Sequence, residues 1–164
     1  MQTKLISAAA LLLAATLSHA ADGKKAAAPI PDNTPILMQA EVGSLDKRVE
    51  VAYVCDSQQG KRNVNAMYGI KDGETAVVQI KVGDQVTPGL WRVMNDTNGK
   101  KQNSYYGEGL TWITDKASPD ALTKANGKIL MQASKLDGGL PKGDQTILFK
   151  DCKVDSAATK KLNK

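Results

Sequence analysis

The sequence is poor in the side chains on which most enzymes and metal sites depend. Its only histidine is His19, and its only cysteines are Cys55 and Cys152. Because His19 lies in a segment that export would remove, the exported chain would have no histidine. This excludes Ser-His and Cys-His nucleophile pairs, histidine bases and histidine zinc sites. The acidic residues mostly stand beside lysines or glycines, as solvated carboxylates do, so we predict no enzymatic activity, no metal and no cofactor.

Beyond residue 17 the sequence also lacks any long apolar run. Residues 1–4 carry one lysine, residues 5–17 are almost entirely apolar, and residues 18–20 (Ser-His-Ala) offer small side chains for cleavage. This order predicts a secretory signal peptide over residues 1–20. Its apolar run is shorter than the roughly 20 residues of a transmembrane helix, and no cysteine at the cleavage site would take a lipid. We expect an exported protein without a transmembrane segment, located in the periplasm or at the outer-membrane surface.

No strong excess of either charge is present. Lysine and arginine number 22 against 17 acidic residues, a formal net charge of +5, or +4 once Lys4 leaves with the signal peptide. The lysines are scattered and aromatic residues make up only 4% of the chain, so there is no basic stripe with interleaved aromatics. We therefore expect no nucleic-acid partner.

Both terminal segments of the exported chain contain few apolar side chains that a folded core could bury. Residues 21–46 contain an alanine triplet and three prolines, which predicts a flexible arm. Within the arm, residues 36–38 (Ile-Leu-Met) form a short apolar island that would either dock on the domain or add a short strand. Residues 156–164 predict a basic polar tail.

Residues 47–155, by contrast, show the alternation of apolar and polar side chains that is typical of strands. Val49, Val51, Tyr53 and Cys55 fall on one face of a first strand. The strongest hairpin signal is Asp72-Gly73, because Asp-Gly suits the turn that matches strand twist. About eight short strands separated by turns, with no sustained helical period, indicate an all-β domain, either a sandwich or a closed antiparallel barrel.

The second half of this domain carries weaker signals. Residues 86–94 contain Pro88-Gly89, which predicts a bent or edge strand. Residues 118–123 predict one helical turn with Ser118 as its cap. The last two strands are expected at residues 129–133 and 146–152, on either side of a glycine-rich loop.

The two cysteines lie in the first and the last of these strands. An even number of cysteines in an exported chain favours a disulfide, so we predict that Cys55 pairs with Cys152. In a closed barrel the first and last strands become neighbours, and such a bond would suit that closure.

Several short motifs around the cysteines resemble those of one known family. They are Val-Ala-Tyr-Val-Cys at 51–55, Gln-Gly-Lys at 59–61, Met-Tyr-Gly at 67–69, Tyr-Tyr-Gly at 105–107 and Ile-Leu-Phe-Lys-Asp-Cys at 147–152. Together they resemble the adhesin complex protein family of Neisseria and, more distantly, the bacterial inhibitors of c-type lysozyme. The resemblance implies a small antiparallel eight-stranded β-barrel over residues 47–155, closed by one disulfide. It also implies binding of c-type lysozyme with blockage of its active-site cleft or, as the alternative, a surface adhesin that binds host cells.

The distant inhibitors carry an S-G-x-x-Y motif on a loop that enters the lysozyme cleft, and a lysine ten residues past that tyrosine. A gapless match on Tyr106 places Lys116 at that lysine and Gln102 at the motif's serine. The resemblance therefore implies a lysozyme-binding role for Tyr106 and Lys116, with Gln102 or Ser104 in place of the serine.

A cation is the natural group for such a cleft. Lysozyme cleaves sugar chains with two carboxyl groups held about 5 Å apart, and an inserted ammonium would pair with the ionised one and exclude substrate. Lys100 and Lys101 flank the same stretch and, with Tyr105, complete the set of candidate contact residues.

Overall fold

The computed structural model describes residues 37–164, so the predicted signal peptide and most of the predicted arm lie outside the described residues. The elements in chain order are β1 (Lys47–Ser57), β2 (Gly60–Lys71), β3 (Glu74–Val82), β4 (Gln85–Val86), β5 (Leu90–Arg92), β6 (Gln102–Gly107), β7 (Leu110–Asp115), a 3₁₀ helix (Pro119–Lys124), β8 (Gly127–Asp137), β9 (Leu140–Val154) and α1 (Ser156–Leu162). Neither helix in this part of the chain has the length and apolar character needed to cross a membrane.

Eight of the strands close into one antiparallel barrel. The neighbours run β2-β1-β9-β8-β7-β6-β5-β3, and β3 then pairs with β2 to complete the circle. The short strand β4 pairs only with the end of β3 and stands outside the circle. The predicted eight-stranded barrel is confirmed, and the sandwich is excluded.

The first and last strands of the barrel are neighbours, as predicted. β1 pairs with β2 along its whole length and with β9 from Tyr53 to Asp56. Beside this pairing, Cys55 and Cys152 form a disulfide that joins residues 97 positions apart. A closed loop of that length corresponds to about 4–5 kcal/mol of stabilisation in the chain-entropy account, whose mechanism is model-dependent.

The turn between β2 and β3 is the predicted Asp-Gly hairpin. Asp72 and Gly73 both have positive φ, at 50° and 76°. Only a few residue types adopt this conformation readily, and a two-residue turn with φ positive at both positions matches the right-handed twist of the strands.

The second half of the barrel differs in detail from the sequence-based expectation. The run around Pro88-Gly89 is not one bent strand but two, β4 and β5, which both pair with β3. β8 and β9 are longer than predicted and meet at Gly138-Gly139, where both φ values are positive. Two consecutive glycines permit a tight turn where a loop was expected. The predicted helical turn is present as the 3₁₀ helix, but the Ser118 side chain makes no capping hydrogen bond.

The C-terminal segment, expected to be a polar tail, forms helix α1 and packs on β1. The Asp155 carboxylate caps it by accepting hydrogen bonds from the Ala157 and Ala158 amides at 3.0 and 2.9 Å. Thr159 Oγ1 accepts from the Ala52 amide, and the Asn163 side chain bonds both the amide and the carbonyl of Glu50. α1 thus satisfies backbone groups of β1 that lie beyond its short pairing with β9.

Of the apolar island at 36–38, residue 36 lies outside the described residues. Residues 37 and 38 are followed by Gln39, which forms an isolated antiparallel β-bridge with Val93. Two backbone hydrogen bonds support it, from the Ala40 amide to the Arg92 carbonyl and from the Met94 amide to the Met38 carbonyl. The structure therefore favours the added strand over simple docking.

Aromatic side chains fill the middle of the barrel. Tyr53, Tyr68, Tyr105 and Trp112 are all fully buried, and Tyr53 meets Trp112 edge to face at 5.7 Å between ring centroids. Their polar tips bond one another, because the Tyr68 hydroxyl lies 3.0 Å from both the Tyr53 hydroxyl and Trp112 Nε1. Burial raises the pKa of Tyr53 and Tyr68, so the phenols remain neutral donors and acceptors within the core.

Trp112 fits only because residue 127 has no side chain. A Cβ at Gly127 would overlap the six-membered ring of Trp112, 2.6 Å from Cζ2, and would lie 2.9 Å from Cβ of Cys152. We expect Gly127→Ala to lower the free energy of unfolding by about 1–3 kcal/mol, because a buried indole and a disulfide cannot move aside cheaply. Urea unfolding followed by tryptophan fluorescence measures this.

The matched control is Gly43→Ala, where a Cβ meets nothing within 4 Å. This variant should stay within about 0.5 kcal/mol of the parent. Equal stability of the two variants would contradict the packing described for Trp112.

Candidate functional site

The antiparallel order places the connections at two opposite ends of the barrel. One end holds the β5–β6 loop at 93–101 and the β7–β8 connection at 116–126; we call it the lysine end, after Lys100, Lys101 and Lys116. The opposite end holds the β1–β2, β3–β4 and β6–β7 turns and the β8–β9 hairpin.

The predicted pair Tyr106 and Lys116 is divided between these ends. In the β6–β7 hairpin Tyr106 pairs with Thr111 beside the turn, whereas Gln102 pairs with Asp115 at the open end. Lys116 follows Asp115 and so lies five strand positions from Tyr106, or about 16 Å along the hairpin. The structure does not bring these two residues into one contact surface.

Tyr106 holds the β8–β9 hairpin rather than projecting from a loop. Its side chain is buried, and its hydroxyl donates a hydrogen bond to the Gly139 carbonyl at 2.5 Å. Its own carbonyl accepts from Gln39 Nε2. Burial raises the pKa of Tyr106. A role for Tyr106 in lysozyme binding stays a prediction, and its observed contacts are structural.

Tyr105 points into the barrel. Its hydroxyl donates to Thr75 Oγ1 at 2.8 Å, and the Arg92 guanidinium lies 5.6 Å from the ring centroid. With no exposed surface, it has no side-chain atoms available to a protein partner.

Gln102 and Ser104 converge on an acid that the sequence analysis did not single out, Asp96. Ser104 Oγ donates to Asp96 Oδ2 at 2.5 Å, Gln102 Nε2 donates to the same oxygen at 3.1 Å, and the Asn98 amide donates to Oδ1 at 2.7 Å. Burial pushes the pKa of Asp96 upward, but these hydrogen bonds outweigh it and hold that pKa below its usual value. The bond to the amide two residues on is the typical Asx turn, and the Asp-Thr-Asn-Gly run at 96–99 was its signal.

Lys100 and Lys101 end the loop that Asp96 organises, and the backbone of Lys116 lies beside Lys101. The Lys116 amide donates to the Lys101 carbonyl at 3.3 Å, which joins the two connections of the lysine end. Lys100, Lys101 and Lys116 are exposed, and within residues 37–164 none forms an ion pair. Other lysines at this end of the barrel are paired, since Lys71 pairs with Asp46 and Lys128 pairs with Asp115. The lysine end therefore presents three cations without an acidic partner.

Among the described residues, no three histidine, cysteine, aspartate or glutamate side chains are grouped so that they could hold a metal ion.

Comparison with known protein families gives one match. The profile of the ACP-like domain, named for the adhesin complex protein, matches residues 49–154, which is more than half of the chain. No curated protein matches the sequence.

The contacts of Asp96 predict how the lysine-bearing loop is held. Asp96→Asn removes the charge that strengthens its three hydrogen bonds, each worth about 1.5–3 kcal/mol with a charged acceptor. We expect the Asn98 and Gly99 amides to exchange with deuterium at least about tenfold faster, because one such bond equals roughly a factor of ten. Amide exchange read by NMR gives the rates.

Asp84→Asn is the control, because Asp84 is an exposed turn residue at the opposite end of the barrel. It should leave these two amides unchanged. Unchanged exchange in Asp96→Asn itself would show that the loop does not depend on this carboxylate.

Proposed function

The chain belongs to the adhesin complex protein family of ACP-like domains, and from this premise we propose that it is an exported inhibitor of c-type lysozyme. The observation that carries the proposal is the lysine end, where Lys100, Lys101 and Lys116 are exposed on two joined connections and form no ion pair with any of residues 37–164. The inhibitor acts by occupying the enzyme's cleft and performs no catalysis of its own.

The proposed chemistry follows from the charges in the cleft. Lysozyme places two carboxyl groups about 5 Å apart, one of which is ionised while it works. An ammonium group entering between them forms a charge-assisted hydrogen bond and removes the space for the sugar. A lysine that is unpaired in the free inhibitor suits this role, because no internal ion pair has to be broken first.

The rigidity of the lysine end supports tight binding. The hydrogen bonds to Asp96 hold the β5–β6 loop, and the bond from Lys116 to Lys101 ties it to the β7–β8 connection. Ordering a loop on binding costs free energy, so a loop that is already held retains more of the contact energy as affinity.

The proposed location is consistent with this role. The predicted signal peptide would deliver the chain to the periplasm or the outer-membrane surface, where a lysozyme would reach peptidoglycan. A disulfide such as Cys55–Cys152 persists in oxidising compartments of that kind.

Removal of the three charges tests the proposal directly. We expect Lys100→Gln, Lys101→Gln and Lys116→Gln combined to raise the inhibition constant for a c-type lysozyme by about ten- to a hundredfold, the value of one buried charge-assisted hydrogen bond. Inhibition is measured as loss of peptidoglycan lysis in a turbidity assay.

The control removes the same charge elsewhere, with Lys81→Gln, Lys135→Gln and Lys150→Gln, three exposed lysines outside the lysine end. This variant should inhibit like the parent. Complete lysis at a severalfold molar excess of parent protein would reject the function, whereas equal inhibition by the parent and both variants would reject only the site. Single substitutions then identify which of the three lysines enters the cleft.

One observation favours the second function, a host-cell adhesin. Helix α1 exposes Lys160 and Lys161, and Lys164 follows it, which makes a compact basic surface suited to anionic cell-surface glycans. Under this alternative, Lys160→Gln, Lys161→Gln and Lys164→Gln combined would lower binding to host cells and leave lysozyme inhibition intact. Host-cell binding that falls only with the lysine-end variant would count against it.

A further inference from the structure

The end of the barrel opposite the lysines contains an open cavity of about 800 Å³. Its walls combine the inner surfaces of several strands with the turns around the rim. Its apolar lining includes Ile80, Val82, Leu130, Leu148 and Phe149, and Arg62 stands among its polar lining residues.

The cavity exists because the aromatic residues do not fill the whole barrel. An interior of eight strands is just wide enough to be filled by side chains or to hold one small ligand. Tyr68 and Trp112 fill the middle, while the buried Ile80 and Leu130, which line the cavity, are smaller. Val82, Leu148 and Phe149 remain only partly covered, so they present apolar surface to the cavity.

The barrel is closed at the other end. Leu122 of the 3₁₀ helix is fully buried and belongs to the same apolar core as the strands. The interior is therefore a cup with one opening, which admits a ligand from the rim and stops it at the aromatic residues.

Among the residues that line the cavity, Arg62 is the charged one. Its position follows from the alternation of β2, where Val64, Ala66 and Tyr68 are buried and residue 62 shares their face. Arg62 donates one hydrogen bond to Gln59 Oε1 at 2.8 Å, and a guanidinium has further donors to offer. No carboxylate lies among the lining residues, so the formal charge that lines the cavity is positive.

From these observations we propose that the barrel binds a single-chain anionic amphiphile, of the fatty acid type. The aliphatic chain enters the cup against Leu130, Leu148 and Phe149, and the anionic head remains at the rim with Arg62. Size, apolar walls and a single convergent cation match the usual composition of a small-molecule site. This site is separate from the lysine end and does not depend on the proposed inhibition of lysozyme.

Calorimetric titration of the exported chain with dodecanoate, below its micelle concentration, tests the proposal. We expect one molecule bound per barrel and an affinity that falls about two- to fourfold for each methylene removed, as measured with decanoate and octanoate. Dodecyltrimethylammonium, which has the same chain and the opposite charge, should bind at least about tenfold more weakly. Dodecyl phosphate distinguishes a phosphate head from a carboxylate, and at least one of the two anions must bind.

Variants inside and outside the cavity test whether dodecanoate binds in the cup or elsewhere on the surface. Arg62→Gln should weaken dodecanoate binding about tenfold, whereas Arg48→Gln, the same change on an exposed β1 residue outside the cavity, should not. Val82→Asp, at a half-buried lining position, should abolish binding even where Arg62→Gln only weakens it. The proposal is overturned by no binding of either anion, by equal affinity for the cation, by several molecules bound per barrel, or by equal effects of the two arginine variants.

Discussion

The structure depends on the position of β1 between the second and the last strands of the barrel. β1 uses its whole length to pair with β2, but only Tyr53 to Asp56 to pair with β9. Such a short seam between segments so far apart in sequence gives few hydrogen bonds against a large loss of chain entropy. The Cys55–Cys152 disulfide lies in this seam, and α1 covers the part of β1 that β9 does not reach. Closure therefore rests on a covalent bond and a helix as much as on the strand ladder.

Once the circle is closed, its two ends take on different chemistry. The aromatic residues and the 3₁₀ helix fill the interior from the middle to the lysine end, so that end can act only through side chains on its outer loops. The opposite end retains a largely apolar cavity, whose lining includes the Arg62 guanidinium. In the two functions that we propose, one end inserts charge into a partner and the other accepts an apolar chain.

Local signals in the sequence predicted much of this scaffold, because a strand's period of two and an Asp-Gly turn do not depend on distant residues. The features that were missed depend on them. Helix α1 has only seven residues, most of them polar. It forms because Thr159 and Asn163 make hydrogen bonds to backbone groups on the exposed edge of β1. The length of β8 and β9 follows from their mutual pairing across Gly138-Gly139. Residues 137–143 show no alternation of apolar and polar side chains from which this pairing could be predicted. Asp96 is identified as a site residue by its tertiary contacts, because the side chains of Ser104 and Gln102 both donate hydrogen bonds to its carboxylate.

The Tyr106–Lys116 spacing shows that the distance between two motif residues depends on the strand topology as well as on their separation in sequence. A tyrosine and a lysine ten residues apart can meet if both stand on one irregular loop. In a hairpin that turns at Glu108-Gly109, residue 106 pairs with 111, and each further residue of β7 moves away from the turn. The residues that approach Lys116 are instead those that enter β6, so Lys101 becomes its backbone neighbour. The same geometry that separates the tyrosine from the lysine brings the backbone of Lys116 beside Lys101, at the end of the barrel opposite the cavity.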